Sequence, residues 1–336
     1  MKKLLLFLLC AVFAGSVTAR ADEKTPTACT TRGTNLAEGL EKTDPAAWKQ
    51  LRAEADATPN HQGTLWKIEK DGIAPSYLFG TIHLSDPRVL KLPKPVEDAY
   101  RSAQTVVIET TDVLDQKNFI RLKLERPELL LFTDGSTLKS HLPADRRDEI
   151  EEKLAERGIV LDAVAKMKPW ILTTLLALPK CERERKNEGE KSLDEFLARQ
   201  AQSEGREIRG LETAAEQFEA TDRIPLDFHI RNLIATVDYG DKTEDAMETT
   251  TALYLQGDIG MIAPALRKLT PDELSDADYD LFQKYLITDR NHVMADRAVP
   301  LLEKGNVFIA VGALHLPGEE GVVELLRAKG YRLTPL

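Results

Sequence analysis

The sequence predicts an α/β fold: a central mixed β-sheet carrying two related strand–Gly-x-x-His–helix–strand units, with a large helical insertion between them. Three observations lead there. Short β-prone apolar runs recur towards both ends of the chain, Tyr77-Leu78-Phe79 and Val307-Phe308-Ile309-Ala310-Val311. Each runs directly into a Gly-x-x-His turn, Gly80-Thr81-Ile82-His83 and Gly312-Ala313-Leu314-His315. Between them, apolar residues return at the 3.6-residue spacing of packed helices. No Pro/Gly/Ser-rich linker or low-complexity tract divides the 336 residues, so 61–336 reads as one domain with a helical middle over 113–205.

The first element is a leader. Lys2 and Lys3 precede an uncharged apolar run from Leu4 to Ala14, and Ala19-Arg20-Ala21 supplies the small residues of a cleavage site. Residues 1–21 therefore read as a bacterial export signal cleaved near Ala21, which predicts a periplasmic or secreted protein. The run is shorter than the ~20 residues that span a bilayer, and Leu9 before Cys10 argues against a lipoprotein. The later apolar stretch Pro169–Pro179 is also short and is bracketed by prolines, so it predicts a buried helix rather than a membrane span. Loss of Lys2, Lys3 and Arg20 with the leader takes the formal net charge from -10 to -13. An acidic surface without a basic stripe excludes capture of nucleic acid through phosphate contacts. Two cysteines remain, Cys29 and Cys181, and in an oxidising compartment they are expected to form one disulfide. Neither belongs to a Cys-x-x-Cys motif, which argues against thiol redox catalysis and zinc-thiolate binding.

Residues 22–60 are polar and predict a loosely attached arm. Thr64–Glu69 alternates as a half-buried strand, and Asp71-Gly72 turns the chain into a second strand over Ser76–Gly80. A helix follows Pro93, and a strand Thr105–Ile108 ends at Glu109. In the middle, one helix is expected from about Pro143 to Arg157, stopped by Gly158, and another opens at Ser192 with Glu195 three residues on as a capping box. A strand Glu207–Leu211 ends at Glu212-Thr213, echoing Glu109-Thr110. Helices are expected over Pro225–Val237, Glu244–Leu255 and Asp276–Lys304; after the second Gly-x-x-His, a helix follows Gly318 and a strand begins at Tyr331.

Side chains just past the carboxyl ends of parallel strands converge on one crevice. His83, Glu109, Glu212 and His315 all occupy such positions. Imidazole nitrogen and carboxylate oxygen together suit zinc, manganese, cobalt or iron. The glycine three residues before each histidine keeps a side chain out of the crevice. Composition and spacing alone support equally a pair of hydrogen-bonded turn histidines. The remaining histidines, His61, His141, His229 and His292, lack a strand-end setting and read as surface or packing residues, and Trp48, Trp66 and Trp170 read as core. There is no His-Glu-x-x-His, Gly-x-Ser-x-Gly, phosphate-binding loop or dinucleotide fingerprint. What survives is metal-assisted hydrolysis with Glu109 or Glu212 as base, Glu109 being favoured because it closes the same strand–helix–strand unit as His83.

The runs Tyr77–Leu84, Gly210-Leu211-Glu212-Thr213, Arg290-Asn291 and Val311–Gly321, with the strand ending at Glu109, resemble the pattern of the TraB/GumN family. The resemblance covers the chain from about Thr64 onward. That family includes the Tiki metalloproteases, which clip the N-terminus of Wnt ligands, and is distantly similar in fold to erythromycin esterase and the haem-binding ChaN proteins. By this resemblance His83, His315 and Glu109 would hold a divalent metal, manganese or cobalt by preference and zinc as a third option. Arg290 and Asn291 would face the site, Arg290 pairing with a substrate carboxylate or a site glutamate and Asn291 orienting a ligand or water; a packing role on their helix is equally compatible with the pattern. The substrate would be a peptide or protein. The rival readings are a non-catalytic periplasmic metal- or haem-binding protein of the same fold and a scaffold that binds an exported peptide or envelope partner.

Overall fold

A computed structural model describes residues 33–269 and 275–336. The leader, with Cys10, and Cys29 lie outside the described residues. Among those described, no helix is long and apolar enough to cross a membrane.

The architecture is mixed α/β, as expected. Six strands, β1 (Leu65–Lys70), β2 (Ile73–Thr81), β3 (Thr105–Ile108), β4 (Glu207–Gly210), β5 (Val307–Gly312) and β6 (Arg332–Pro335), form one sheet in the order β4-β3-β5-β2-β1-β6. β4, β3, β5 and β2 run parallel, with Tyr77 opposite Phe308 and Thr105 opposite both Val307 and Glu207. β1 is antiparallel to its neighbours β2 and β6. The β1–β2 hairpin turns at Asp71-Gly72, where Gly72 takes φ +80°, a left-handed conformation that glycine adopts without steric cost.

Position in the sheet explains the composition of each strand. Val307, Phe308, Ile309, Ala310 and Val311 are at most 1% exposed, because β5 has a strand on each side and a layer on each face. That is why it reads as an unbroken apolar run rather than an alternating one. The edge strand β4 exposes Glu207 and Arg209, charges that discourage pairing with another chain.

One large core joins the sheet to its flanking helices, and it includes Leu51 and Ala55 of the Pro45–Asp56 helix. This part of the 22–60 segment is thus packed, not loosely attached: Leu51 and Ala55 lie one turn apart on the buried face of a helix capped by Asp44. A second core, including Leu138, Ile150, Leu154, Leu172, Leu176, Leu233 and Val237, unites the middle helices. The Pro169–Ala177 helix is buried on nearly every position, as its apolar composition predicts, and it packs on the Leu226–Tyr239 helix. Trp66 and Trp170 are core residues and Trp48 packs against the core.

Two local expectations need correction. The Leu193–Ser203 helix has no side-chain cap at Ser192; Glu195 instead bonds Arg199 at 2.6 Å one turn along, so the carboxylate of the expected box is drawn into an i,i+4 pair. The single helix expected over Asp276–Lys304 is α-helical over Asp276–Phe282, widens to a π-helix over Gln283–Thr288, and returns to α over Asp289–Leu302. Such widened turns are enriched at functional sites, and Leu286, Ile287 and Arg290 at this one line the central crevice.

Candidate functional site

The strand order brings the Gly-x-x-His turns together. β2 and β3 lie on either side of β5, so His83 after β2, His315 after β5 and Glu109 after β3 project from three adjacent strand ends. All three line one cavity of about 70 Å³. Gly312 explains part of the motif. A Cβ there would stand 3.2 Å from Glu109 Oε1 and 3.6 Å from His83 Nε2, so a side chain would crowd the carboxylate, while its φ of -53° is open to any residue. Gly80 is needed for close packing of the two turns: its Cβ would lie 3.0 Å from both Ala313 Cα and Leu316 Cδ2.

Each imidazole is held by a dedicated acceptor. His83 Nδ1 is 2.6 Å from Asp194 Oδ2, and the other Asp194 oxygen accepts from the Thr81 hydroxyl. His315 Nδ1 is 2.6 Å from Asn291 Oδ1. The Asn291 amide is itself oriented, because its Nδ2 donates to the Glu320 carbonyl at 2.8 Å. With Nδ1–H donated in both rings, the lone pairs sit on Nε2. Both Nε2 atoms then face one oxygen, Glu109 Oε1, at 3.7 Å from His83 and 3.9 Å from His315.

Glu109 is buried and fully engaged: Gly312 N–H donates to Oε1 at 2.7 Å, while Oε2 accepts from Arg290 Nη2 at 2.7 Å and Gln217 Nε2 at 3.1 Å. Burial alone would raise its pKa, but the Arg290 guanidinium beside it, with help from the imidazoles and the Gly312 N–H, holds the carboxyl well below the usual range. Glu212 behaves oppositely. Its carboxylate takes three contacts from Arg290, at 3.1, 3.1 and 2.7 Å, yet burial pushes its pKa up, and the adjacent Glu109 charge adds to that. Burial, then the nearby Arg290 charge, lowers the His315 pKa to about 3, so this ring is neutral at physiological pH.

The structure thus assembles His83, His315, Glu109, Arg290 and Asn291. Glu212 joins them through Arg290 but does not line the cavity, so it is badly placed as the base and well placed to anchor the guanidinium. Arg290 pairs with both glutamates, one of the two roles expected for it, and Asn291 orients His315 rather than a ligand. Sequence reasoning missed Asp194, Gln217 and Thr81. Asp194 sits on a helix whose acidic residues resemble a solvated face, and only its fold-back over 111 residues reveals it. Of the histidines set aside, His229 is buried with Nε2 3.0 Å from the Thr221 carbonyl, and His292 lies at the surface beside Glu320.

Among the described residues, no three His, Cys, Asp or Glu side chains form a ready cage for a metal ion. The His83–Glu109–His315 donor set nevertheless fits one chemically. Both imidazoles turn Nε2 toward one carboxylate oxygen, and separations of 3.7 and 3.9 Å are below twice a metal–ligand bond of ~2.1 Å. A single ion can therefore touch Oε1 and either ring without rearrangement of the strands.

Fold and site together define a mixed α/β protein with a histidine–carboxylate–arginine cluster at the carboxyl ends of its parallel strands. The chain belongs to the TraB/PrgY/gumN family, whose pattern matches residues 64–335. It is similar to metalloprotease TIKI2 of Danio rerio, 24% identical over 80% of this chain and 60% of that protein. It is similar also to the metalloprotease TIKI homolog of Amphimedon queenslandica (23% identical, 87% of this chain, 64% of that one) and to metalloprotease TIKI1 of Homo sapiens (24% identical, 80% and 61%). The chain spans about three fifths of the length of these relatives. No solved structure matches it.

Proposed function

We propose that this protein is an exported metal-dependent hydrolase that cleaves an amide bond in a peptide, with the ion held by His83, His315 and Glu109. The observation that carries the reading is the convergence of the two Nε2 atoms on Glu109 Oε1, each ring fixed from behind by Asp194 or Asn291. The metalloprotease names of its relatives supply the reaction class. Manganese or cobalt is the preferred ion by the family resemblance, and zinc suits the same donors. A bound divalent ion supplies Lewis acidity and makes water a nucleophile at neutral pH.

The residues do the rest. Asp194 and Asn291 hold the imidazoles in the Nδ1–H tautomer, as carboxylate and carbonyl groups do behind metal-binding histidines. Glu109, ionised through Arg290, would complete the ligand set through Oε1. The water oxygen ends on the acyl carbon, the C–N bond breaks, and the water's proton passes to the leaving amine. Arg290, anchored by Glu212, keeps Glu109 charged inside a buried crevice.

The test is metal analysis of the purified protein coupled to cleavage of a peptide library. His83→Ala and His315→Ala are expected to lose metal and activity together, and Glu109→Gln to lose turnover. Full cleavage after exhaustive chelation, or in the double histidine variant, would refute the mechanism. A Soret band on adding haem would instead support the haem-binding alternative.

A further inference from the structure

The cavity at the histidine cluster does not end there. Four side chains that line it, Ile262, Phe282, Ile287 and Leu314, also line a second and larger cavity of about 270 Å³. Beyond that shared wall the second chamber is bounded mainly by apolar groups, among them Ile259, Ala263, Leu266, Tyr279 and Pro317. Its charged lining residues are already matched: Glu54 pairs with Arg267, and the Arg267 guanidinium lies 4.9 Å over the Tyr279 ring. In the first cavity the guanidinium of Arg290 is shared between Glu109 and Glu212. Among the described residues, neither chamber therefore offers an uncommitted cation to a carboxylate or phosphate.

The sizes divide the labour. At ~10–15 Å³ per water, the cavity of about 70 Å³ accommodates a few waters or one planar amide. The cavity of about 270 Å³ has room for a large side chain. We propose that the second chamber receives a bulky, uncharged apolar side chain of the substrate, adjacent to the amide cleaved at the histidine cluster. This rests on the hydrolase reading and adds the substrate class to it: neutral amides flanked by Leu, Phe or a similar residue, with Asp, Glu and Gly disfavoured there. Burial of a full apolar side chain yields selectivity on the order of 10–100-fold over glycine.

Binding and turnover test it separately. N-acetyl-phenylalaninamide, N-acetyl-leucinamide, N-acetyl-glycinamide and N-acetyl-aspartamide are titrated into the metal-free full chain while the methyl resonances of Ile262, Ile287 and Leu314 are followed. The two apolar probes are expected to shift these methyls at concentrations at least ~10-fold lower than the glycine and aspartate probes. Ala263→Phe, which fills only the second chamber, is expected to abolish that preference with the fold and metal affinity intact. In the cleavage assay it lowers kcat/KM on Phe- and Leu-containing substrates ~10-fold or more and leaves small-residue substrates unchanged. Equal shifts with all four probes, or an unaltered apolar preference in Ala263→Phe, would overturn the proposal. The apolar probes binding to His83→Ala as to wild type keeps the chamber even where the metal mechanism fails, so the two failures are distinguishable.

Discussion

Replacing Arg290 with methionine keeps the length of the side chain and removes its charge. In the wild type the guanidinium is 9% exposed, donates to Glu109 at 2.7 Å and to Glu212 at 2.7 and 3.1 Å, and spends a further N–H on the Leu286 carbonyl at 3.2 Å. Without it, two adjacent buried carboxylates retain only Gln217 and the Gly312 N–H between them. Removing one partner of a buried ion pair costs ~3–5 kcal/mol. That is a large part of the ~5–15 kcal/mol that keeps a domain folded, and at ~2–4 °C per kcal/mol it lowers Tm by roughly 6–20 °C. The decisive measurement is a double-mutant cycle with Glu212→Gln, by urea unfolding followed through tryptophan fluorescence in EDTA, so that no bound ion contributes. In the wild-type background Glu212→Gln is expected to destabilise, because Arg290 loses an anchor. In the Arg290→Met background it is expected to stabilise by ~1–2 kcal/mol, because one uncompensated carboxylate disappears. A loss below ~1 kcal/mol in Arg290→Met, or a Glu212→Gln effect of the same sign in both backgrounds, would refute the claim that Arg290 is the electrostatic keystone of the site.

Asp194→Ala is expected to weaken manganese or cobalt binding ~10–100-fold by calorimetry, with Asp194→Asn intermediate because its one amide oxygen can replace Asp194 Oδ2 as acceptor for the His83 Nδ1–H; wild-type affinity in Asp194→Ala would contradict the orienting role. His229 gives a pH prediction far from the strand ends. Burial lowers its pKa from 6.5 to about 4, so the unfolded chain takes up a proton before the native one does as pH falls. Its contribution is present in full above pH 6.5 and is lost progressively down to about 4, a change of ~3 kcal/mol. Urea midpoints between pH 4 and 7 should therefore fall less steeply in His229→Gln, and an unchanged slope would reject the assignment. Finally, mass spectrometry of the unreduced protein should find Cys181, buried in the Lys180–Asn187 helix, linked to Cys29; two alkylatable thiols would reject the disulfide.

Much of the sheet was legible because each strand's burial leaves a local trace. The apolar runs of β3 and β5 and the alternation of β1 follow from what covers them, and their limits match expectation to within a residue or two. The Gly-x-x-His turns were legible for a related reason, since a Cβ at Gly312 would crowd the Glu109 carboxylate at 3.2 Å. Strand order was not legible. It depends on pairings such as Tyr77 with Phe308, and nothing in either segment names the other. Asp194 escaped because one aspartate in an acidic helix looks like any other until the fold sets it beside Thr81 and His83. Glu212 stays a second candidate base in the sequence because it too ends a strand; only the position of Arg290 between the two separates a cavity-facing carboxylate from one that holds the arginine.

The place of β5 in the sheet has a kinetic consequence. Val307 N–H bonds the Ser76 hydroxyl across 231 residues, and closing a loop of that length costs ~5 kcal/mol in chain entropy before any contact repays it. Until β5 arrives, β2 and β3 have no partner on the side it will occupy, and Leu78, Phe79 and Val106–Ile108 border sticky, open edges. A chain released or cut before residue 307 would be aggregation-prone and would lack His315. The same late docking that seals these edges delivers His315 beside His83, so the fold gains its crevice and loses its open strand edges in one event.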